Sequence, residues 1–149
     1  LMGVVIAIDH GTKKTGFAVT DSMRIITEPL DVFHGTGESL LGHIAGLCDE
    51  RNVERFVIGM PFDMDGTESG RAAEVRVFGE QLTAFLGAKN GPGFTPIPIT
   101  YQDERLSTKE ADSLLVEAGY TGEARKIRRD SWSALVFLRE WLSSGEPGD

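Results

Sequence analysis

Three carboxylates occupy positions where an acid calls for a chemical reason. Asp9 ends the apolar run Val4 to Ile8 and is followed at once by "HGTKKTG", so a charged group stands at the tip of a strand of buried type. A strand-end aspartate also serves as an ordinary turn cap. Glu104, in "YQDERLST", lies just past a second β-like run, where its side chain would project from a strand edge. Asp130 shares a helical face with Ile127, Ala134, Phe137 and Trp141. That face has to meet the core, and an acid on it is desolvated unless a cation, a donor or water meets it. The plainer alternative is a solvated acid that favours the start of the helix dipole. Brought to one sheet edge, the three would repel one another and form a hard, oxygen-rich site for Mg2+ or Mn2+. Such ions activate water and stabilise the leaving oxygen in phosphodiester cleavage.

The elements that must carry these acids alternate between strands and helices. Val4 to Ile8 is a short β-branched run of the kind buried on both faces. Thr15 to Thr20 and Arg24 to Phe33 follow as strands around Asp21-Ser22, and together the three predict an antiparallel meander. A helix is predicted from Glu38 to Glu50, with Leu40, Leu41, Ile44, Leu47 and Cys48 on one face. Arg55 to Gly59 is the fourth strand. The loop "GMPFDMDGT" leads into a helix from Glu68 to Leu86, striped by Ala72, Val75, Phe78, Leu82 and Phe85. After "GAKNGPGFTP", a surface connection, the fifth strand covers Ile97 to Tyr101. Ser107 and Glu110 have the form of a capping box for the next helix, which Gly119 stops. The last helix is predicted from Arg125 to Leu142. This order implies an α/β fold with a five-stranded mixed sheet flanked by helices.

A chain of 149 residues fits one domain, residues 1–149, with a proper core. The single cysteine, Cys48, cannot form an internal disulfide or a metal cluster and reads as a core thiol. Val4 to Ile8 is too short for a signal peptide or a membrane span, and no basic residues precede it, so a cytoplasmic protein without a membrane partner is expected. A net charge of −8 argues against indiscriminate binding of polyanions but leaves room for a local basic groove. Lys13 and Lys14 lie beside Asp9, Arg105 lies beside Glu104, and Arg125, Lys126, Arg128 and Arg129 in "RKIRR" precede Asp130. Each charge alone reads as solvated surface. Their adjacency to all three acids favours phosphate contacts, which position a nucleic-acid backbone without reading its sequence. Thr12, Ser107 and Thr108 are further phosphate donors, with capping and turn roles as the default. His10 points to the opposite face from Asp9 and reads as packing rather than as a ligand.

The segments "IAIDHGTKKTGFAVTD", "VIGMPFDMDGT", "DERLST" and "RRDSWSAL" resemble, in the same order, the motifs of the YqgF family, also called RuvX, over nearly the whole chain. The resemblance implies an RNase H-like fold and a relation to Holliday junction resolvases. It also implies a metal-dependent nuclease that processes pre-16S rRNA, branched DNA or both; the sequence leaves monomer and homodimer both open. The family's strand-one aspartate falls on Asp9, the glutamate of its "DER" motif on Glu104, and its helix aspartate on Asp130, the same three acids. Two positions depart from the family pattern. Lys13-Lys14-Thr15 replaces a lysine-arginine-isoleucine run, and Trp132 enters a pair of small residues after Asp130. They bear on substrate preference more than on chemistry. Two rival classes remain. "IDHGT" with "TGFAV" also looks like the phosphate-binding segment of actin-like and sugar-kinase ATPases, which need two such domains where this chain has room for one. The other is a nucleic-acid-binding module without turnover.

Overall fold

The computed structural model describes residues 3–148. Strands β1 (Val4–His10), β2 (Lys14–Thr20) and β3 (Thr27–His34) form the expected meander. Helix α1 (Gly37–Glu50), β4 (Val53–Met60), α2 (Gly70–Asn90) and β5 (Ile99–Asp103) follow, and then helices α3 (Ser107–Glu117), α4 (Gly122–Lys126) and α5 (Arg129–Ser143). The sheet is ordered β3-β2-β1-β4-β5. β1 pairs antiparallel with β2 and parallel with β4, and β5 extends the parallel side. The most apolar strand therefore sits in the middle, where both its faces are covered.

Side chains alternate across each strand, and the two faces are filled differently. Ile6, Ile8, Phe17, Phe56 and Ile58 point toward α1 and α2 and are fully or almost fully buried. Val5, Ala7, Ala18 and Val57 point the other way, under Ala134, Phe137, Leu138 and Trp141 of α5. Small residues on this second face let the helix come close. A Cβ added at Gly16 would stand 2.1 Å from the carbonyl carbon of Asp130, so only glycine allows the start of α5 to rest on β2. The contact is pinned by a hydrogen bond from the Phe17 amide to Ser131 Oγ at 2.9 Å.

Four local expectations need correction. The third strand begins at Thr27 rather than Arg24, because Asp21 Oδ1 accepts from the amides of Ile25 and Ile26 and holds residues 21–26 as a loop. Asp21 outcompetes the ladder by offering the backbone a local partner. β5 begins at Ile99 and reaches Asp103, bringing Glu104 directly onto its end. The predicted capping box does not form: Ser107 is buried inside α3, and Leu106, in the left-handed region at φ 68°, takes the cap position. The last helix is broken into α4 and α5, and Ile127 at the break is half exposed instead of facing the core. No helix among the described residues is long and apolar enough to cross a membrane.

Candidate active site

Asp9 lies opposite Gly16 in the β1–β2 register, on the face that α5 covers. Glu104 reaches the same face from the end of β5: a Cβ added at Gly59 on β4 would meet its Oε2 at 2.8 Å and the Phe137 ring at 2.7 Å. The missing side chain at Gly59 leaves the space in which the Glu104 carboxylate stands, and the one at Gly16 leaves room for the backbone of Asp130. The Glu104 amide donates to the carbonyl of Met60 at 3.2 Å, fixing where the chain leaves β5. Asp130, in the first turn of α5, enters from above.

Asp9 and Glu104 are in hydrogen-bonding contact, and burial together with the charge of Glu104 holds the Asp9 carboxyl well above the ordinary carboxylate range. Burial also raises Glu104, with the hydrogen bond to Asp9 and the charge of Arg71 acting against it. Two carboxyls in contact and away from water retain a proton between them. Asp130 lines a neighbouring cleft of about 260 Å3 together with Asp9, Gly11, Thr12, Lys13 and Lys14. Its Oδ2 stands 3.7 Å from Lys14 Nζ. The arrangement is a buried carboxyl pair with a third acid across the cleft, and it differs from the three-fold cluster that the sequence suggests. Among the described residues no three His, Cys, Asp or Glu side chains are grouped to hold one ion as they stand. Asp130 is paired with Lys14 instead.

The basic residues divide between two roles. Lys13 and Lys14 line the carboxylate cleft. Arg105 does not face it: the guanidinium binds both oxygens of Asp103 and reaches the carbonyls of Asp63 and Met64. Burial alone would raise Asp103, but the guanidinium outweighs it and holds that carboxyl low. Arg105 thereby ties the 61–69 loop to the end of β5. Arg129 donates to Asp112 at 2.8 Å, with Arg125 Nε 4.0 Å from the same carboxylate. Arg128 lies over the Tyr120 ring, and Lys126 is exposed. The cluster "RKIRR" is thus not one continuous patch.

His10 stacks on Phe78 at 4.2 Å on the opposite face, as the strand alternation requires. Burial and the charge of Arg71 push its pKa down to about 4, so the imidazole is neutral at physiological pH. Sequence reasoning missed Arg71. It stands in the first turn of α2, donates to the His10 carbonyl at 2.8 Å, and contributes positive charge to both Asp9 and Glu104. Nothing near it in sequence links it to those acids; only the crossover from β4 to α2 does. Gly16 and Gly59 carried a readable signal, since a glycine inside a strand marks a close approach.

A family model described as "RuvX: Holliday junction resolvase" matches residues 3–144. The chain belongs to this family. Curated relatives of this RuvX-family chain carry the name "Putative pre-16S rRNA nuclease". One, from Dictyoglomus thermophilum, is 33% identical over 94% of this chain and 95% of its own length. One from Anaeromyxobacter is 36% identical over 92% and 94%, and one from Rhodobacter capsulatus is 38% identical over 93% and 82%. Among solved structures, Thermus thermophilus RuvC in complex with a Holliday junction substrate superposes with a TM-score of 0.58 at 14% identity, covering 99% of both chains. At that identity the likeness concerns the fold, and it makes the RuvX-family sheet RNase H-like, as the motifs implied.

Proposed function

We propose that this RuvX-family chain is a metal-dependent nuclease that hydrolyses phosphodiester bonds in pre-16S rRNA, branched DNA or both, in the cytoplasm, with residues 1–149 working as a single catalytic domain. The observation that carries the reading is the buried Asp9–Glu104 pair, with Asp130, Lys13 and Lys14 around the adjoining cleft. A binding module gains nothing from forcing two acids together out of water, a destabilising arrangement. The donors are all oxygen and lack positive charge, which suits magnesium or manganese. Asp9 and Glu104 would hold the ion, and Asp130 would join them on release from Lys14. Bound there, the ion supplies an activated water and neutralises charge on the leaving oxygen.

The chain's own groups have distinct parts in this reading. Lys14, released from Asp130, turns its ammonium to a phosphate oxygen, and Lys13 and Thr12 flank the same cleft. Arg71 offsets negative charge behind the carboxyls and anchors the β1 terminus through the His10 carbonyl. Lys126 contacts more distant phosphates, joined by Arg125 and Arg129 on release from Asp112, with Arg128 on the neighbouring flank of α5 and Arg105 supporting the loop at the end of β5. The products are a 5′-phosphate and a 3′-hydroxyl, as expected of direct attack by water.

The test incubates purified protein, with magnesium and then manganese, against labelled four-way junctions, single strands and ribosomal RNA precursors. Metal-dependent cleavage that disappears in Asp9→Asn is the expected result. Binding without cleavage of any of these in either metal would leave a non-catalytic module as the correct reading.

A further inference from the structure

A second concavity, of about 270 Å3, lies between the outer strand β3 and the start of α5, where Tyr120, Arg128, Ser131 and Trp132 form one wall and Leu30 and Val32 the other. Its lining combines aromatic and apolar side chains with one cation, Arg128, and one carboxylate, Asp31, on the β3 side. Tyr120 meets Trp132 edge-on, with ring centroids 6.2 Å apart at 72°. The Arg128 guanidinium sits 4.2 Å from the centre of the Tyr120 ring. Trp132 touches the α5-side core only from outside, whereas Trp141 is fully buried within it.

We infer that this concavity receives one nucleobase of the strand whose backbone crosses the carboxylate cleft, the base stacking on Trp132 beside Tyr120 and Arg128. The inference rests on the nuclease reading and adds to it a contact with a base rather than with phosphate. Continuity between the two clefts supports it: Asp130 lines one, and its neighbours Ser131 and Trp132 line the other. Two helical residues turn through about 200°, so Asp130 and Trp132 leave opposite flanks of α5, on the order of 10 Å apart. A strand advances ~3.4 Å per nucleotide in duplex geometry. A base two or three nucleotides from the phosphate at Asp9 therefore reaches Trp132.

Size and chemistry agree. The space falls below the range of roughly 300 to 1,000 Å3 typical of small-molecule pockets, enough for a flat ring system with its sugar and phosphate outside. Aromatic faces with an arginine bind any base by stacking, so the subsite fixes the path of the strand without dictating its sequence. The rival occupant, a peptide strand added to the open edge of β3, is disfavoured by Pro29 within β3, which has no amide to offer an added strand.

The experiment uses the whole protein with a chelator present to prevent cleavage, and follows tryptophan fluorescence and affinity. The probes are a short single-stranded oligonucleotide and a strand of equal length that is abasic throughout. The base-bearing strand is expected to quench the signal and to bind about five- to a hundred-fold more tightly than the abasic one, the range one aromatic stack supplies. Trp132→Ala should erase that preference, Trp132→Phe should keep most of it, and Arg128→Gln should weaken it in part. The comparison of the two strands on wild-type protein needs no variant, so a Trp132→Ala chain that does not fold leaves the test intact. Equal affinity for both strands in a protein that cleaves with magnesium would overturn the subsite and spare the nuclease. Quenching by an extended peptide but not by the base-bearing strand would also overturn it. A protein that neither binds nor cleaves either substrate would overturn both readings.

Discussion

The two faces of the sheet are built from the same strands and answer opposite demands. Toward α1 and α2 the strands present Ile6, Ile8, Phe17, Phe56 and Ile58, a large-residue core with no acid in it. Toward α5 they present Ala7, Gly16, Ala18, Val57 and Gly59, with Asp9 in the same row. Large residues give stability through buried area, on the order of 25 cal/mol per Å2. Small residues give less area but bring backbone close, and here closeness is what places Asp130 over Asp9. Folding strength and the candidate chemistry have been separated by the alternation of a single strand.

That separation is breakable, and the largest expected effect is on the apolar face. Phe17→Ala should cost about 3 to 5 kcal/mol of stability, measured by denaturant unfolding, while the fraction still folded cleaves at the ordinary rate. Asp9→Asn should do the reverse, lowering cleavage by at least about a hundred-fold, since a metal ligand supports several kcal/mol of transition-state charge. Without metal it should melt no lower than wild type, because the amide removes a charge that the fold disfavours. A clear drop in metal-free melting temperature would show that Asp9 stabilises the fold and that the faces are not divided as described.

Between these extremes lies Gly16→Ala. Its methyl collides with the Asp130 backbone, so α5 must shift, at a cost of about 1 to 3 kcal/mol. Cleavage should fall more than that loss of stability explains, because Asp130 moves with the helix. Stability measured against activity across temperature separates the two contributions.

A subtler probe is pH. Burial and Glu104 raise the Asp9 carboxyl in the folded chain, so the native state keeps a proton that the unfolded chain has released. Stability from this group is present below the ordinary carboxylate value of about 4 and is lost as pH rises through the raised one. The melting temperature of metal-free Asp9→Asn relative to wild type should therefore climb as pH rises from about 4, and magnesium should abolish the trend. The smallest expected effect is Gly46→Ala, in α1 where an added Cβ meets nothing within 4 Å. It should stabilise by about 0.4 to 1 kcal/mol without changing cleavage.

Strand and helix order were legible because apolar runs and helical stripes repeat with the right periods, and the mixed sheet followed from three closely spaced strands and two crossovers. What stayed hidden was local competition. Asp21 captures two amides and shortens β3, and Leu106 takes a cap position for which Ser107 has the better chemistry. In the site, the three acids were readable from their misplaced charge, but their grouping as a pair with a third acid held by Lys14 was not. Ion pairing depends on distances that only the folded chain sets. Arg105 and Arg129 read as phosphate contacts from their place beside the acids, yet each has a carboxylate partner, Asp103 two residues earlier at the end of β5 and Asp112 on a different helix.

The bond from the Phe17 amide to Ser131 Oγ joins groups 114 residues apart, which has a meaning in time as well as in space. At a synthesis rate of roughly 5 to 20 residues per second, the strand bearing Gly16 and Phe17 leaves the ribosome on the order of 6 to 23 s before Ser131. During that interval Gly16 has no helix to receive. On the proposed reading, competence to cleave arrives only once α5 has been made; nascent chains arrested before residue 129 should show no cleavage with magnesium present.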